Sequence, residues 1–497
     1  MTCTTAKFTP RIYPKCLAGH LPAAVLGFLL VLPAFGQSTS TEAQDGSDAL
    51  AWRAGDHHVH SRYSVGWDDS EDPPAPIIGG DAIYPTPMNA LMARHHGLDW
   101  MVTTDHGGPN HSKVNLEMAY PELLQSRSVV PDVIQFYGME FDTPGADHSS
   151  FIMPHSHHES DHLYEIEHRY NKRDAYPTDP SRDTEEKMIE TLNFVKTLPL
   201  LPVHIAHHAS RSATGLGEYG LDDPEELRDW NDTAPNVSVG MEGAPGHQAS
   251  AINPDGSIDP DAARGGYRNY PTMGGFDQMT ARLGGFWDSM LGEGRRWWIT
   301  ATSDSHVHWR EGGSDFWPGE YSKTYVYAEK TYDDILDGIR SGRVFVTTGD
   351  LISELYVTAE ASGEEAAIGG TLPVDGQADV TVTIRLRDPD GTNHHGDNPA
   401  VARVDLIVGE ITGPVEDRSQ DTNPTTTVVR RFTADDWTRD GEVLTMSHTL
   451  EDVHHSSYLR VRGSNTGDQL EPENDPAGED PWTDLWFYSN PIFIEVQ

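Results

Sequence analysis

Residues 99–105 read Asp99-Trp-Met-Val-Thr-Thr-Asp105, a short apolar run that ends in an acidic side chain. Four more apolar runs between residues 51 and 349 end in turns that carry histidine or carboxylate side chains. These runs cover residues 133–140, 200–207, 237–242 and 297–304. Short apolar runs bounded by turns are typical of buried strands, so each run predicts one strand.

Amphipathic segments lie between the predicted strands. In residues 184–198, the apolar residues Met188, Leu192 and Val195 fall on one helical face. Residues 331–342 begin with a threonine cap and stop at a glycine, which predicts a second helix. Strands that alternate with helices favour an α/β barrel or layered sheet with mostly parallel strands. In such folds the site lies at the carboxyl ends of the strands, where the histidine and carboxylate residues fall.

The pattern changes after about residue 351, where predicted strands follow one another without helices. The alternating segments are 378–386, 401–408, 425–432, 458–461 and 486–496. Strands separated by turn-rich gaps predict a small antiparallel β-sandwich. A chain of 497 residues is also long for one ordinary core. We therefore predict an α/β domain over residues 51–349 and a β-sandwich domain over residues 350–497.

The first 36 residues differ from the rest of the sequence. Three basic residues precede the apolar run 21–35, and the triplet Ala34-Phe35-Gly36 closes it. A membrane-spanning helix needs about 20 apolar residues, so this run is short for one. The pattern predicts a signal peptide over residues 1–36, a linker over residues 37–50 and a secreted or periplasmic protein. An uncleaved membrane anchor is the alternative.

Cysteine content and charge limit the chemistry and the partners. The two cysteines, Cys3 and Cys16, both lie in the predicted signal peptide, so any metal must be held by histidine, carboxylate and water. The formal net charge is -43, which repels nucleic acid and anionic membranes. The expected partner is therefore a small molecule, neither nucleic acid nor membrane.

Five clusters of histidine and carboxylate residues occupy the ends of the predicted strands. In the first cluster, His58 and His60 are two residues apart, so in a strand both side chains point to the same side. The other clusters hold His106, Glu140 with His148, His207, and Asp304 with His306. Each cluster alone fits an ordinary polar strand-to-loop junction. Together, in a segment without cysteine, they predict a site for divalent cations.

The order and spacing of these clusters resemble the PHP (polymerase and histidinol phosphatase) superfamily. The matching motifs are His58-Val-His60-Ser61, Thr104-Asp105-His106, Gly138-Met-Glu140, Ala206-His207 and Ser303-Asp304-Ser305-His306. Residues 338–349 and a β-domain that ends with residues 488–492 are similar to the CehA/McbA branch, which includes carbamate and ester hydrolases. The resemblance covers about residues 52–349 and implies a distorted (β/α)7 barrel with two or three bound ions.

The resemblance also implies which side chains hold the ions. The first ion would be held by His58, His60, Glu140 and Asp304. The second would be held by Glu140, His148 and His207, so that Glu140 bridges two ions. The third would be held by His106, His306 and Asp68.

The sequence departs from the family pattern at two positions. Val65 stands where family members usually carry a ligand, five residues after the second histidine of the first motif. If the sequence has a short insertion here, Asp68 or Asp69 is the nearest residue that could replace this ligand. Whether a third ion is held depends on this replacement. The fourth motif commonly continues with proline, and here it continues with His208.

Clustered cations would support hydrolysis without a serine or thiol nucleophile. A water between two cations falls in pKa from 15.7 to roughly 7, which yields hydroxide at neutral pH. Histidine and carboxylate ligands suit Zn, Mn or Fe, whereas Mg usually prefers all-oxygen sites. The predicted function is hydroxide attack on a phosphoester, either a monoester or a diester. A carboxyl ester or carbamate is the alternative substrate, and a metal- or carbohydrate-binding protein without turnover is the alternative class.

Three residues are predicted to act in catalysis. Glu140 and Asp304 would act through the ions, and Arg211 would hold a substrate oxyanion because a guanidinium matches phosphate and carboxylate. A surface salt bridge is the alternative role for Arg211. Asp105 is predicted to orient a ligand histidine.

Overall fold

The apolar runs in the first part of the chain form strands, as the sequence predicts. The computed structural model describes residues 49–265, 272–469 and 471–497. The strands up to residue 348 are β1 (Ala51–Val59), β2 (Gly66–Asp68), β3 (Ala75–Ile77), β4 (Trp100–Thr103), β5 (Ile134–Asp142), β6 (His148–Ile152), β7 (Val203–Ala206), β8 (Ser238–Ala244), β9 (Trp298–Ala301), β10 (Ser322–Ala328) and β11 (Val344–Thr348). The predicted signal peptide and both cysteines lie outside the described residues.

Helices separate many of these strands. They are α1 (Thr86–His95), α2 (His111–Val114), α3 (Tyr120–Val129), α4 (Glu159–Tyr170), α5 (Glu185–Val195), α6 (Pro224–Thr233), α7 (Gln278–Ala281), α8 (Phe286–Gly292) and α9 (Tyr332–Arg340). A π-helical turn at Asn115–Ala119 joins α2 to α3, and single 3-10 turns lie at Pro180–Arg182 and Trp309–Glu311. None of the described helices combines the length and apolar composition that crossing a bilayer requires.

Both helices predicted from the sequence are confirmed. The hydroxyls of Thr184 and Thr331 accept backbone hydrogen bonds at the first turns of α5 and α9, and thereby cap these helices. Met188, Leu192 and Val195 on α5 are buried in a core cluster that also contains strand residues such as Phe151 and Val203. The apolar stripe read from the sequence therefore does face the core.

Seven strands in the first part lie side by side in the order β1-β4-β5-β6-β7-β8-β9. Four of the six pairings are parallel, and β6 is antiparallel to both of its neighbours. An isolated parallel bridge between Val59 and Ser305 brings the segment after β9 back to the end of β1. The carboxyl ends of the parallel strands therefore converge on one region.

The second part of the chain consists of strands alone within the described residues. These strands are β12 (Glu354–Ala361), β13 (Glu364–Ala367), β14 (Thr371–Val374), β15 (Ala378–Arg387), β16 (Arg403–Glu410), β17 (Thr427–Phe432), β18 (Thr438–Asp440), β19 (Val443–Val453), β20 (Ser457–Ser464), β21 (Trp486–Ser489) and β22 (Ile492–Val496). Strands β12, β13, β15, β18 and β19 form a separate antiparallel sheet. The fold is thus mixed α/β, with one large mixed sheet and separate antiparallel sheets.

The large sheet continues without a break across residue 349. It has 15 strands, and β1 pairs with β10, β10 with β11, and β11 with β21 from the end of the chain. The Asn490 amide also bonds the backbone N–H and C=O of Ile299 in β9, at 2.9 and 3.3 Å. The described residues form one compact unit. The boundary near residue 350 stays a prediction.

A buried ion pair ties α8 to the last part of the chain. Arg460 on β20 donates two hydrogen bonds to Asp288 on α8, at 2.8 and 2.7 Å. The hydroxyl of Tyr458 donates a third to the same carboxylate at 3.0 Å. All three side chains are buried. The Asp288 carboxylate therefore receives three donors away from water.

A second buried pair leads to a pH prediction. His111 at the start of α2 lies 2.7 Å from a carboxylate oxygen of Glu167 on α4. Burial favours the neutral imidazole, but the charge of Glu167 and its hydrogen bond outweigh burial and raise the pKa of His111 to about 9. Because this pKa is raised above the unfolded value of about 6.5, the proton stabilises the fold below that value. The stabilisation is lost as the pH rises through about 9.

We expect imidazole NMR signals of His111 to titrate with a midpoint near pH 9. Assignment would come from the signal lost in His111→Gln. In Glu167→Gln the partner charge is gone while the burial that favours the neutral ring remains, so the midpoint should fall. A wild-type midpoint at or below 6.5 would contradict the pairing.

Candidate metal centre

The first motif places two imidazoles together at the end of β1. His58 and His60 are fully buried, and their Nε2 atoms lie 2.9 Å apart. Their spacing of two residues puts both rings on one side of the extended chain. Two neutral imidazoles with facing nitrogens can present two lone pairs to one cation.

Glu140 on β5 lies at the middle of the histidines. Its Oε1 is 2.9 Å from Nδ1 of His148 and 3.1 Å from Nδ1 of His207. Its Oε2 faces Nε2 of His60 at 3.5 Å and Nε2 of His106 at 3.7 Å. The two oxygens of one carboxylate therefore face different histidines, which is the arrangement that a bridging ligand needs.

Asp304 approaches His58 and His60 from the loop after β9. Its Oδ1 lies 3.0 Å from Nε2 of His58 and 3.1 Å from Nε2 of His60. Among the described residues this buried oxygen has no hydrogen-bond partner of acceptable geometry. The backbone of Asp304 has a φ of 47°, a left-handed conformation that is uncommon for a residue with a Cβ. Strain of this kind is concentrated at functional sites.

A third group lies beside the first two. His106 and His306 face the carboxylate of Asp81, with Nε2 to Oδ2 distances of 2.9 and 3.5 Å. Asp68, expected here from the sequence, is fully exposed and accepts hydrogen bonds from Ser70. The short hairpin of β2 and β3 carries Asp68 outward, and the chain returns with Asp81. The structure thus places Asp81, rather than Asp68, beside His106 and His306.

The structure brings eight of the nine expected ligands together. They are His58, His60, His106, Glu140, His148, His207, Asp304 and His306. Groups of three among them have donor atoms within 4.8 Å of one another, for example His58, His60 and Asp304, or His58, Glu140 and His207. These buried groups could hold metal ions.

The far nitrogens of the first two histidines are anchored. Nδ1 of His58 lies 2.7 Å from Oε1 of Glu242, and a carboxylate oxygen accepts, so this nitrogen carries the hydrogen. Nδ1 of His60 lies 2.7 Å from the hydroxyl of Ser64, which donates to Asp105. Asp105 thus reaches the ligand histidine through Ser64. In the neutral rings that bind a cation, both anchors would leave Nε2 bare toward the cluster.

The spacing of the donor atoms fits a cation. Ligand atoms bound tetrahedrally at about 2.0–2.2 Å lie about 3.3 Å or slightly more from one another. The distances among the Nε2 atoms of His58 and His60 and the nearest oxygens of Asp304 and Glu140 are 2.9 to 3.5 Å. The Oδ1 atom of Asp304, which has no good donor, points into this group. The residues present therefore fit the ion that the sequence implies.

The histidines keep the central carboxylates ionised. Burial alone would raise the pKa of Glu140, but the charges of His148, His58 and His106 hold it well below its usual range. Burial is likewise outweighed at Asp304, where His58 and His247 hold the pKa well below its usual range. Both carboxylates are therefore anionic at neutral pH, which is the form that binds a cation.

A cavity of about 390 Å³ opens onto the cluster. Arg211 contributes to its wall and is paired with Asp147, with an Nε to Oδ2 distance of 3.1 Å and a second, shorter contact. The side chain of Arg211 is one-third exposed. It forms the salt bridge expected as the alternative role and also lines the cavity, and its contact with a substrate oxyanion stays a prediction.

Four residues at the cluster were not among the expected ligands. They are Asp81, His208, Glu242 and His247. Glu242 ends an apolar run, and that signal was available in the sequence. His247 places Nε2 at 2.9 Å from Asp304 and Nδ1 at 2.5 Å from Asp315, from a left-handed backbone with φ of 57°. No sequence pattern distinguished His247 or Asp81 from other loop residues.

Comparison with known proteins adds no further identification. No family model matches the chain, and no curated protein matches it.

Proposed function

We propose that this chain is an exported, metal-dependent hydrolase that cleaves phosphoesters. The observation that carries the proposal is the convergence of His58, His60, Glu140 and Asp304 on one buried point beside an open cavity. Three separated segments of the chain supply these side chains: the end of β1, β5 and the loop after β9. A fold that buries this many ionisable groups together without a cation would lose much solvation energy.

Bound divalent cations would supply a nucleophilic water at neutral pH and polarise the scissile group. The chain's own residues set up this chemistry. Glu140 and Asp304 provide the negative charge, and Glu242 and Ser64 fix the ring orientation of His58 and His60. Arg211, held by Asp147, would bind a substrate oxyanion at the wall of the cavity.

The strand order supports the proposed relationship to the PHP superfamily. Seven neighbouring strands and the bridge between Val59 and Ser305 fit a distorted seven-stranded barrel. The separate five-stranded sheet shares a buried core with strands of the large sheet, for example through Val382 and Leu459. This shared core fits the proposed C-terminal β-sandwich. Secretion is proposed on the N-terminal sequence pattern.

The walls of the cavity bear on the choice of substrate. Asp81, Asp304 and Asp315 line it, and Arg211 is the one arginine among the described lining residues. An anionic phosphoester would therefore depend on the cations for charge compensation. A neutral carboxyl ester or carbamate would depend on them less and is the second candidate, supported by the resemblance of residues 338–349 to the CehA/McbA branch.

The test uses purified protein loaded with Zn, Mn or Fe and three chromogenic substrates. These are p-nitrophenyl phosphate, bis-p-nitrophenyl phosphate and naphthyl carbamate. We expect chelator-sensitive release of nitrophenolate from at least one phosphoester. Release from the carbamate alone would favour the second candidate. Full metal occupancy without turnover of any of the three would overturn the enzyme proposal and favour a binding protein.

The third group of side chains gives a separate prediction. Asp81→Ala removes the carboxylate that faces His106 and His306, and it should lower the metal content by up to one ion per chain. Asp68→Ala changes an exposed carboxylate and should leave the metal content and turnover unchanged. Elemental analysis of both variants checks this pair. If Asp68→Ala lost metal and Asp81→Ala did not, Asp68 rather than Asp81 would be the ligand of the third ion.

A further inference from the structure

A buried imidazole next to the cluster has a hydroxyl group at each of its ring nitrogens. His57 on β1 is fully buried. Its Nε2 lies 2.7 Å from the hydroxyl of Thr300 on β9, and its Nδ1 lies 3.2 Å from the hydroxyl of Ser150 on β6. The hydroxyl of Ser150 also contacts Nε2 of His207 at short distance. His207, Ser150, His57 and Thr300 thus form a chain of hydrogen bonds, here called the relay.

We propose that His57 is a positioning residue that fixes the tautomer of His207 through Ser150. The proposal rests on the proposed function, since it takes His207 as a metal ligand. Nδ1 of His207 faces Glu140 at 3.1 Å, and a cation held there requires a bare nitrogen at that position. The hydrogen of the neutral ring must then sit on Nε2 and be donated to Ser150.

The remaining hydrogens of the relay follow from this donation. The Ser150 oxygen accepts from His207, so its own hydrogen is donated to Nδ1 of His57. His57 then carries its hydrogen on Nε2 and donates it to Thr300. The Thr300 hydroxyl is left to donate toward the carbonyl oxygen of Met241, which lies 3.5 Å away and can only accept. Each group donates once, and the relay ends on a backbone acceptor.

If the hydrogen bonds of the relay ran in the opposite direction, His207 could not bind a cation through Nδ1. If Ser150 donated to Nε2 of His207, the ring would carry its hydrogen on Nδ1 and direct it at Glu140. In the relay, Nδ1 of His57 gives Ser150 an acceptor and thereby favours donation from His207 to Ser150 over the reverse. Loss of a residue that hydrogen-bonds the non-ligating nitrogen of a ligand histidine typically lowers metal affinity about 10- to 100-fold.

The test measures zinc binding by the full-length chain against a chromogenic chelator. His57→Leu fills similar volume without an acceptor, and it should weaken zinc binding at one position about 10- to 100-fold. His57→Asn offers an amide oxygen near the original Nδ1 and should recover most of the affinity. Thr300→Val removes the acceptor of His57 at the far end of the relay with little change in shape, and should weaken binding in the same direction.

His204→Leu is the matched control. His204 is equally buried on β7 and bonds to Ser238, outside the relay. Its loss should leave zinc affinity unchanged. Nitrogen NMR of the histidine rings adds a second readout, because it reports which nitrogen of His207 carries hydrogen. We expect hydrogen on Nε2 in the zinc-loaded wild type and a shift toward Nδ1 in metal-free His57→Leu.

The outcomes separate this inference from the proposed function. A wild-type chain that binds zinc and turns over ester, with affinity unchanged in both His57→Leu and Thr300→Val, would overturn the relay alone. Equal loss of affinity in His57→Leu and His57→Asn would also overturn it, because burial rather than the acceptor would then matter. A wild-type chain that binds no zinc would overturn the proposed function together with the inference.

Discussion

Replacing Asp304 by alanine should remove at least one cation per chain and lower kcat/KM for the cleaved ester at least about 100-fold, since even outer residues of metal sites cost 10- to 100-fold. Asp304 Oδ1 faces the bare nitrogens of His58 and His60. Without it, the two imidazoles lose the carboxylate nearest to their Nε2 atoms. His58→Ala should behave in the same way because it removes a nitrogen from the same position.

Elemental analysis and kinetics on the same preparations check this result. Asp304→Asn keeps the shape of the side chain and removes its charge. Its metal content and kcat/KM should therefore lie between those of the wild type and Asp304→Ala. Far-ultraviolet circular dichroism should show that the strands of the second part remain folded. Unchanged metal content in both Asp304→Ala and His58→Ala would refute the ligand assignment.

Replacing Asp288 by alanine should lower the free energy of unfolding by about 3–5 kcal/mol. The change leaves the Arg460 guanidinium buried with no carboxylate opposite it, and it takes the acceptor of Tyr458 as well. An uncompensated buried charge is among the most costly defects in a protein. Unfolding in urea, followed by tryptophan fluorescence, measures the difference.

Two further variants serve as controls for Asp288. The double variant with Arg460→Leu removes the orphaned charge and should recover part of the lost stability. Asp229→Ala breaks a partly exposed pair with Arg418 and should cost no more than about 1 kcal/mol. Equal effects of Asp288→Ala and Asp229→Ala would show that burial of the pair contributes little.

The sequence predicts the strands near the cluster well because they are buried on both faces. Residues 133–140 and 297–304 are nearly continuous apolar runs. When a polar turn follows such a run, the pattern indicates a buried strand. The reversed direction of β6 is not predictable in this way. Apolar residues such as Phe151 and Ile152 are buried equally well in a parallel or an antiparallel strand. The apolar pattern therefore does not predict the direction of the strand.

The third group of ligands shows a different limit. Asp68 and Asp81 are both acidic residues in one loop, and spacing along the chain favoured the nearer one. The backbone of Arg62 bonds both Tyr84 and Gly79, at 2.7 and 2.8 Å, and these bonds return the loop to the cluster at Asp81. Contacts of this kind depend on loop geometry rather than on residue type.

In the second part, alternating strands such as β15 were predicted, but β12, β13, β14, β18 and β19 were not. Many of their outward residues are charged, for example Glu364 and Glu365 on β13, which weakens the strand pattern. The parallel pairing of β14 with β22 joins residues more than 100 positions apart. Local pattern carries no information on partners at that distance.

The order of synthesis matters for a sheet in which β11 lies between β10 and β21. Residues 486–489 are made more than 130 positions after β11, yet they cover an edge only two strands away from β1, which holds His58. In a nascent chain without residues 486–489, this edge of β11 has no strand paired with it. We therefore expect the cation cluster to mature only after β21 has been made, so deleting residues 486–497 should impair assembly of the centre itself.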